Sequence, residues 1–283
     1  MSGEENCLFC GGELAPAAHP LPVGRPVVGG TVLVCRSCGS GQVMPRSVRA
    51  GETELYDRPY YELSDGGQSL AGGKERASAK LRARLASLER RLGGTGRLLD
   101  VGCATGVFLE YAQERGWKVV GIEPSAWAAE TGRRERGVEI ATGTLEDAHL
   151  EPGTFDVVHS NHVVEHLDDP VRTLGIASRL LKPTGVLVIE VPYELTLPLA
   201  ERAIAVLGTR PSRPDTTYHL SFFTRRGLQE VAKRSSLRVE TIEGQPREPA
   251  PGSGAKAVVL NALYALEARS PRPNALVMTA VRA

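Results

Sequence analysis

The segment Asn161-His162-Val163-Val164-Glu165-His166 puts two imidazoles and a carboxylate within six residues. On a regular helix, H-x-x-E-H sets both histidines one turn apart on a metal, with the glutamate beside them to activate water, as in one class of zinc proteases. The flanking sequence opposes that helix. Phe155-Asp156-Val157-Val158 runs into the segment as an apolar strand, and the next helix start is Asp169-Pro170, a cap followed by a first-turn proline. No nearby segment offers a third ligand, so the protease pattern is coincidental. Three roles stay open. His166 or His162 can act as a general base, because imidazole titrates near neutrality. His162, Glu165 and His166, joined by the remote His219, can instead hold a divalent cation such as Mg2+ against a substrate oxygen. In the third role, Glu165 and His166 hydrogen-bond the loop backbone and only shape the site.

A second constellation lies upstream. Leu98-Leu99-Asp100-Val101-Gly102-Cys103-Ala104-Thr105-Gly106 reads as a strand, a tight turn and a helix start. Gly102 and Gly106 let the backbone pass close to a ligand, and the helix presents its free N–H groups to it. Cys103 reads as a small filler whose N–H matters more than its sulfur. Glu123 ends the following apolar strand, where an acid can hold both hydroxyls of an adenosyl ribose. A pyrophosphate-binding loop needs G-x-G-x-x-G. Here the pattern is D-x-G-x-x-x-G with Ala104 in place of the middle glycine. That counts against a nicotinamide dinucleotide and for S-adenosylmethionine, which has a ribose and an amino-acid tail but no phosphate.

The third constellation is a set of thiols. Cys7 and Cys10, then Cys35 and Cys38, form two C-x-x-C-G units. Each can present two thiolates to one metal, with the glycine taking the positive φ of the knuckle. Four thiolates around Zn2+ would fold a segment too small to make its own core. The 24-residue gap between the pairs exceeds the usual spacing of about 15–20, but it only lengthens a loop.

Strands alternating with helices must position these groups. Arg97–Val101, Lys118–Ile122, Val138–Ala141, Phe155–Ser160 and Val186–Val191 read as strands, with Lys182–Gly185 as a turn before the last. Gly106–Arg115, Ser125–Arg136 and Asp169–Leu181 read as helices, capped at Ser125 and Asp169. This alternation predicts an α/β fold with a doubly wound, parallel, Rossmann-like sheet. Upstream, Leu81, Leu85, Leu88 and Leu92 make one apolar stripe on a helix over 74–92, whose Arg-rich outer face reads as solvated. Downstream, residues 192–208 form an apolar amphipathic helix, 222–244 a helix capped at Thr224 and then a strand, 245–255 a surface loop, and 274–283 a last strand.

Four stretches, LLDVGCATG (98–106), VVGIEPS (119–125), FDVVHSNHVVEHLDDP (155–170) and LLKPTGVLVIEVP (180–192), occur in the order seen in class I S-adenosylmethionine-dependent methyltransferases. The chain resembles that family strongly over roughly 95–195. The resemblance implies that Asp100, Gly102, Cys103 and Gly106 cradle the methionine tail and that Glu123, followed by Pro124, holds the ribose. It also implies that Thr144 and Leu145 flank the adenine, with Thr144 replacing the acid of many relatives, and that Asn161 lines the cofactor near the sulfonium. Ubiquinone-pathway and small-RNA methyltransferases look similar but carry E-x-x-E-H where this chain has His162, Glu165 and His166. A zinc ribbon (1–48), an aromatic linker (49–75) containing Tyr60 and Tyr61, and a methyltransferase domain (76–283) resemble bacterial enzymes of sugar, cell-envelope and natural-product pathways. The insert at 192–220 is expected to be a substrate lid or a homodimer surface.

Composition bounds the rest. Apolar content is 41%, charged content is 24%, and the formal net charge is +1. The near-neutral balance opposes a large nucleic-acid substrate, although ribbon-bearing rRNA and tRNA methyltransferases remain a rival class. No long apolar run or signal peptide is evident, so a cytoplasmic protein without a membrane segment is expected. The expectation is therefore methyl transfer to a small-molecule hydroxyl. A noncatalytic ribbon docking protein with a degenerate core is the other alternative.

Overall fold

A computed structural model describes residues 6–18, 21, 30–44, 79–195, 219–245, 247 and 255–283. Its centre is a seven-stranded sheet built from β4 (Arg97–Val101), β5 (Lys118–Glu123), β6 (Ile140–Thr142), β7 (Phe155–Asn161), β8 (Leu181–Pro192), β10 (Leu237–Gln245) and β11 (Ala275–Arg282). The order is β10-β11-β8-β7-β4-β5-β6. Five strands, β6-β5-β4-β7-β8, run parallel, and β11 and β10 close one edge by antiparallel pairing. Leu98, Leu99, Val157, Val158, Leu187 and Ile189 are fully buried, as central strands covered on both faces require. From β4 the chain winds outward through β5 and β6, then returns to place β7 on the other side. That reversal opens a crevice at the carboxyl ends of β4 and β7, where open α/β sheets bind ligands.

Helices cover the sheet where the sequence places them. α1 (Ala79–Leu92) buries Leu85 and Leu88; α2 (Val107–Glu114) buries Phe108, Leu109 and Ala112. α3 (Ala126–Arg136) is capped by the Ser125 hydroxyl, which accepts from the Ala128 N–H. α4 (Pro170–Leu180) is capped by Asp169, which accepts from the Arg172 N–H, with Pro170 in its first turn. α5 (Arg225–Arg234) is capped by Thr224, which accepts from the Gly227 N–H.

Several boundaries differ from the sequence reading. The expected turn at Lys182–Gly185 lies inside β8 as a bulge. Between the pairs Phe155–Leu181 and Val157–Val186, one residue of β7 stands against four of β8, so the polar turn residues loop out without ending the strand. The third strand sits two residues later than expected at its start. An unexpected helix, α6 (Ala255–Arg269), precedes β11; its apolar residues surround the axis, with Val258, Val259 and Leu266 exposed, so no amphipathic period marks it. The aromatic linker with Tyr60 and Tyr61 and most of the insert, 196–218, lie outside the described residues.

The cysteine pairs sit in a second sheet. β1 (Leu14–Pro16), β2 (Thr31–Cys35) and β3 (Gly41–Met44) form a meander, and β9 (Ser221–Phe222), from after the insert, pairs with β3 to complete it. The segment expected to stand as a separate ribbon thus shares a sheet with the chain beyond the insert.

Candidate active site

The loop after β4 shows why its glycines are needed. Gly102 has φ 70°, and an added Cβ there would lie 2.3 Å from the Val163 side chain. Gly106 has φ 77° and caps α2 without a side chain, which leaves the first N–H groups of that helix for a ligand. Ala104, where a dinucleotide loop has glycine, is left-handed at φ 50°. Its N–H donates to Glu123 Oε2 at 2.9 Å, and the Ser125 N–H donates to Oε1 at 2.9 Å. These two bonds fix the buried Glu123 carboxylate at the carboxyl end of β5. The Gly143 N–H donates to the Glu123 carbonyl, which brings the buried Leu145 and the exposed Thr144 to this edge. Thr144 donates to Asp147 at 2.7 Å. Cys103 is buried as a small filler: its sulfur packs over Gly121, and its N–H donates to the Ile122 carbonyl at 3.2 Å.

Asp100 ends β4 and is bonded to His159 Nδ1 at 2.7 Å. On the other ring nitrogen, His159 Nε2 lies 3.2 Å from Arg84 Nη1. A guanidinium only donates, so Nε2 accepts, Nδ1 carries the proton, and Asp100 receives it. Arg84 also donates to Asn161 Oδ1 at 3.3 Å and to Glu190 Oε2. Glu190 is fully buried and takes a second cation, Lys80, at 2.7 Å. The sequence reading had the Arg-rich face of this helix solvated, and for Lys80 and Arg84 it is not. Arg84 lies three residues after Leu81 and four before Leu88, so it shares their apolar stripe. A carboxylate buried at the end of β8 requires cations beside it. That position within the stripe was the one available signal.

The histidine segment leaves β7 at Asn161, turns at His162 with φ 54°, and makes a three-residue 3-10 turn, Val164–His166. No regular helix carries both histidines, which removes the protease geometry. His162 lies 3.3 Å from Glu165 and 3.3 Å from Glu190. Desolvation depresses its imidazole, but the two carboxylates outweigh that and raise it to about 9. Glu165 is completely buried, and neither of its oxygens makes a hydrogen bond of proper geometry among the described residues. Burial pushes its carboxyl up, yet the His162, His166 and His219 rings together hold it below the usual range. His166 and His219 meet edge to face with ring centroids 4.7 Å apart. His219 Nδ1 is bonded to Glu194 at 2.7 Å, a partner no motif announced. Ligand atoms of Glu165, His166 and His219 all lie within 4.8 Å of one another, whereas His162 is outside that group. Of the four residues expected to share a cation, the fold therefore clusters three.

The Cys7, Cys10, Cys35 and Cys38 sulfurs also lie within 4.8 Å of one another, and all four are free thiols. Gly11 and Gly39 have φ 75° and 73°, and the Ser37 and Cys38 N–H groups donate to the Cys35 sulfur. The set fits a tetrahedral thiophilic cation.

A methyltransferase-domain family matches residues 73–242, more than half of the chain. The chain belongs to the class I S-adenosylmethionine-dependent methyltransferases. A ubiquinone biosynthesis O-methyltransferase of Xanthomonas euvesicatoria pv. vesicatoria is 30% identical over 177 residues, covering 59% of this chain and 73% of that protein. One of Sodalis glossinidius is 37% identical over 105 residues, 35% and 42% of the two lengths. A methyltransferase structure from Mesorhizobium loti aligns with TM-score 0.52 at 21% identity, covering 71% of this chain and 100% of that one. The [4+2]-cyclase SpnF has the same fold, with TM-score 0.51 at 20% identity over 73% and 84% of the chains. The sheet by itself therefore does not name the reaction. In this methyltransferase no described helix is long and apolar enough to cross a membrane.

Proposed function

We propose that this methyltransferase methylates an oxygen of a small molecule, a hydroxyl of a sugar, nucleotide-linked sugar or natural product, with His166 taking the proton. The observation that carries the reading is the His166–His219 pair just past the carboxyl end of β7, in the turn whose Val163 lies against Gly102 of the loop. When bound, S-adenosylmethionine supplies a methyl group activated by a sulfonium with a neutral leaving group. The chain's own residues then have three tasks. Asp100 and the loop N–H groups hold the amino-acid tail, and Glu123 holds the ribose. His166 accepts the proton of the acceptor hydroxyl, with His219 oriented beside it by Glu194. Alignment of acceptor and methyl within the crevice provides much of the acceleration. The ubiquinone-pathway relatives support an oxygen acceptor, and the near-neutral net charge supports a small one over RNA. Four-thiolate coordination of Zn2+ is part of this reading.

A second reading of the same residues has Glu165, His166 and His219 hold a divalent cation that binds the acceptor oxygen. It is favoured by the two Glu165 oxygens, buried and without a well-formed hydrogen bond among the described residues. Calorimetry with S-adenosylhomocysteine, with NAD as control, tests the cofactor. Micromolar binding of the first and none of the second is expected, and the reverse refutes the assignment. Methyl transfer to a panel of hydroxylated acceptors, with and without a chelator selective for Mg2+ and Mn2+, then separates base from metal. Turnover that persists in the chelator supports the base.

A further inference from the structure

Among the described residues, the backbone of the ribbon is bonded to the acceptor side of the crevice. β3 lies between β2 and β9, and the Val43 N–H donates to the Leu220 carbonyl at 3.0 Å. In turn the Leu220 N–H donates to the Glu165 carbonyl at 2.9 Å. Leu220 thus bridges the ribbon and the histidine turn with its own backbone, and His219 is the residue before it. The knuckles are tied to the same segment. Thr224 donates to the Cys38 carbonyl at 2.7 Å, its N–H donates to Ser40 at 3.1 Å, and Phe9 stacks on Phe223 at 4.8 Å. Gln42, buried in β3 opposite Ser221, donates to the Cys7 sulfur at 3.2 Å. Gly227 in α5 exists for this contact: an added Cβ would lie 1.9 Å from the Ser40 hydroxyl. Among the described residues, no hydrogen bond runs from the ribbon to Asp100, Gly102 or Gly106.

We propose that the cation held by Cys7, Cys10, Cys35 and Cys38 is a positioning element for the acceptor half of the site. It sets the place of His219 and, through Leu220, of Glu165, whereas the cofactor half forms without it. The inference rests on the reading of the four thiolates as a Zn2+ site. The physical ground is the small core of this sheet. Among the described residues, Val43, Leu220 and Phe222 form one small buried apolar cluster in it, while Phe9 and the cysteines pack into the main core beside Phe223, so a metal closing the knuckles fixes how these short strands meet the chain after the insert. Without the cation, β3 loses its register, and β9 with His219 loses the strand it pairs with.

The test uses the full chain with its six histidines labelled in the ring and assigned by single substitution. Zinc is counted in the purified protein, then released with a mercurial thiol reagent and a chelator. The expected result is that the His166 and His219 ring resonances move, the His159 resonance stays, and S-adenosylhomocysteine affinity changes by less than about twofold, as independent sites allow. Unmoved His166 and His219 resonances overturn the proposal, as does cofactor affinity collapsing together with them. A protein that neither contains zinc nor takes up Zn2+ or Co2+ refutes the thiolate reading and the proposal with it. Wild-type protein that fails to bind S-adenosylhomocysteine refutes the methyltransferase site assignment instead. Gly227→Ala guards against general unfolding. It adds a better helix former to α5 and keeps all four thiolates, yet wedges Ser40 away. It should retain the metal and still shift His219, and an unshifted His219 overturns the coupling.

Discussion

The two halves of the crevice are built in opposite ways. The proposed cofactor half is one continuous strand-turn-helix-strand passage, Arg97–Glu123, in which Glu123 is set by the nearby Ala104 and Ser125 N–H groups and Asp100 reaches across to His159 of β7. The proposed acceptor half is assembled from the β7 exit, the end of β8, the residues after the insert and the N-terminal ribbon. A half made largely from one passage depends on few remote residues, His159 on Asp100 and Val163 against Gly102 being two. A half made from four remote segments can change acceptor when any one segment changes.

Arg84 links the two halves, because it bonds His159, the partner of Asp100, as well as Asn161 and Glu190. Arg84→Leu removes the donor to His159 and Asn161 and strips one cation from the buried Glu190. The expected cost is about 3–5 kcal/mol, the range for breaking a buried ion pair. Chemical denaturation measures it, and a loss below about 1 kcal/mol would place Arg84 on the surface. Next in size, His166→Ala should lower turnover by about a hundredfold or more while leaving S-adenosylhomocysteine affinity unchanged. Loss of cofactor affinity together with a lower melting temperature would make His166 structural. Glu123→Ala inverts the pattern. Two charge-assisted bonds to N–H groups and the ribose contacts vanish together, so affinity for S-adenosylhomocysteine should fall by about a hundredfold in calorimetry. The histidine resonances of the acceptor half should not move.

Smaller effects sharpen the comparison. Gly102→Ala meets both a left-handed φ and the Val163 side chain, so it should cost about 2 kcal/mol, read as a melting temperature lower by about 4–8 °C. Because Val163 belongs to the histidine turn, this contact lets the cofactor loop disturb the acceptor half directly. The pH dependence is smallest. His162 has its imidazole raised from 6.5 to about 9, so its ion pairs contribute fully below about pH 6.5 and are lost as pH rises through 9. The ring is 41% exposed, so solvent screening reduces the effect to about 1 kcal/mol. Between pH 6.5 and 9.5 the melting temperature should fall by about 2–4 °C, and His162→Gln should flatten that slope.

Local spacing carried the parallel sheet, the caps at Ser125, Asp169 and Thr224, the glycine loop, Glu123 and the thiol pairs. Each of these depends on hydrogen bonds or torsions a few residues apart, and such geometry is written in neighbouring positions. It did not carry Glu190 and Glu194, the burial of Arg84, the pairing of β3 with β9, or α6. A glutamate at a strand end is ordinary in sequence. It becomes part of a site only when the fold buries it and brings Lys80, Arg84 and His162 from elsewhere to offset the lost solvation. Likewise, Gly41-Gln42-Val43-Met44 can pair with any free edge. Burial of Phe9 against Phe223, and the absent side chain at Gly227, are what select Ser221–Phe222. Contiguous residues announced the cofactor half through backbone geometry, and long-range burial alone decided what surrounds the acceptor.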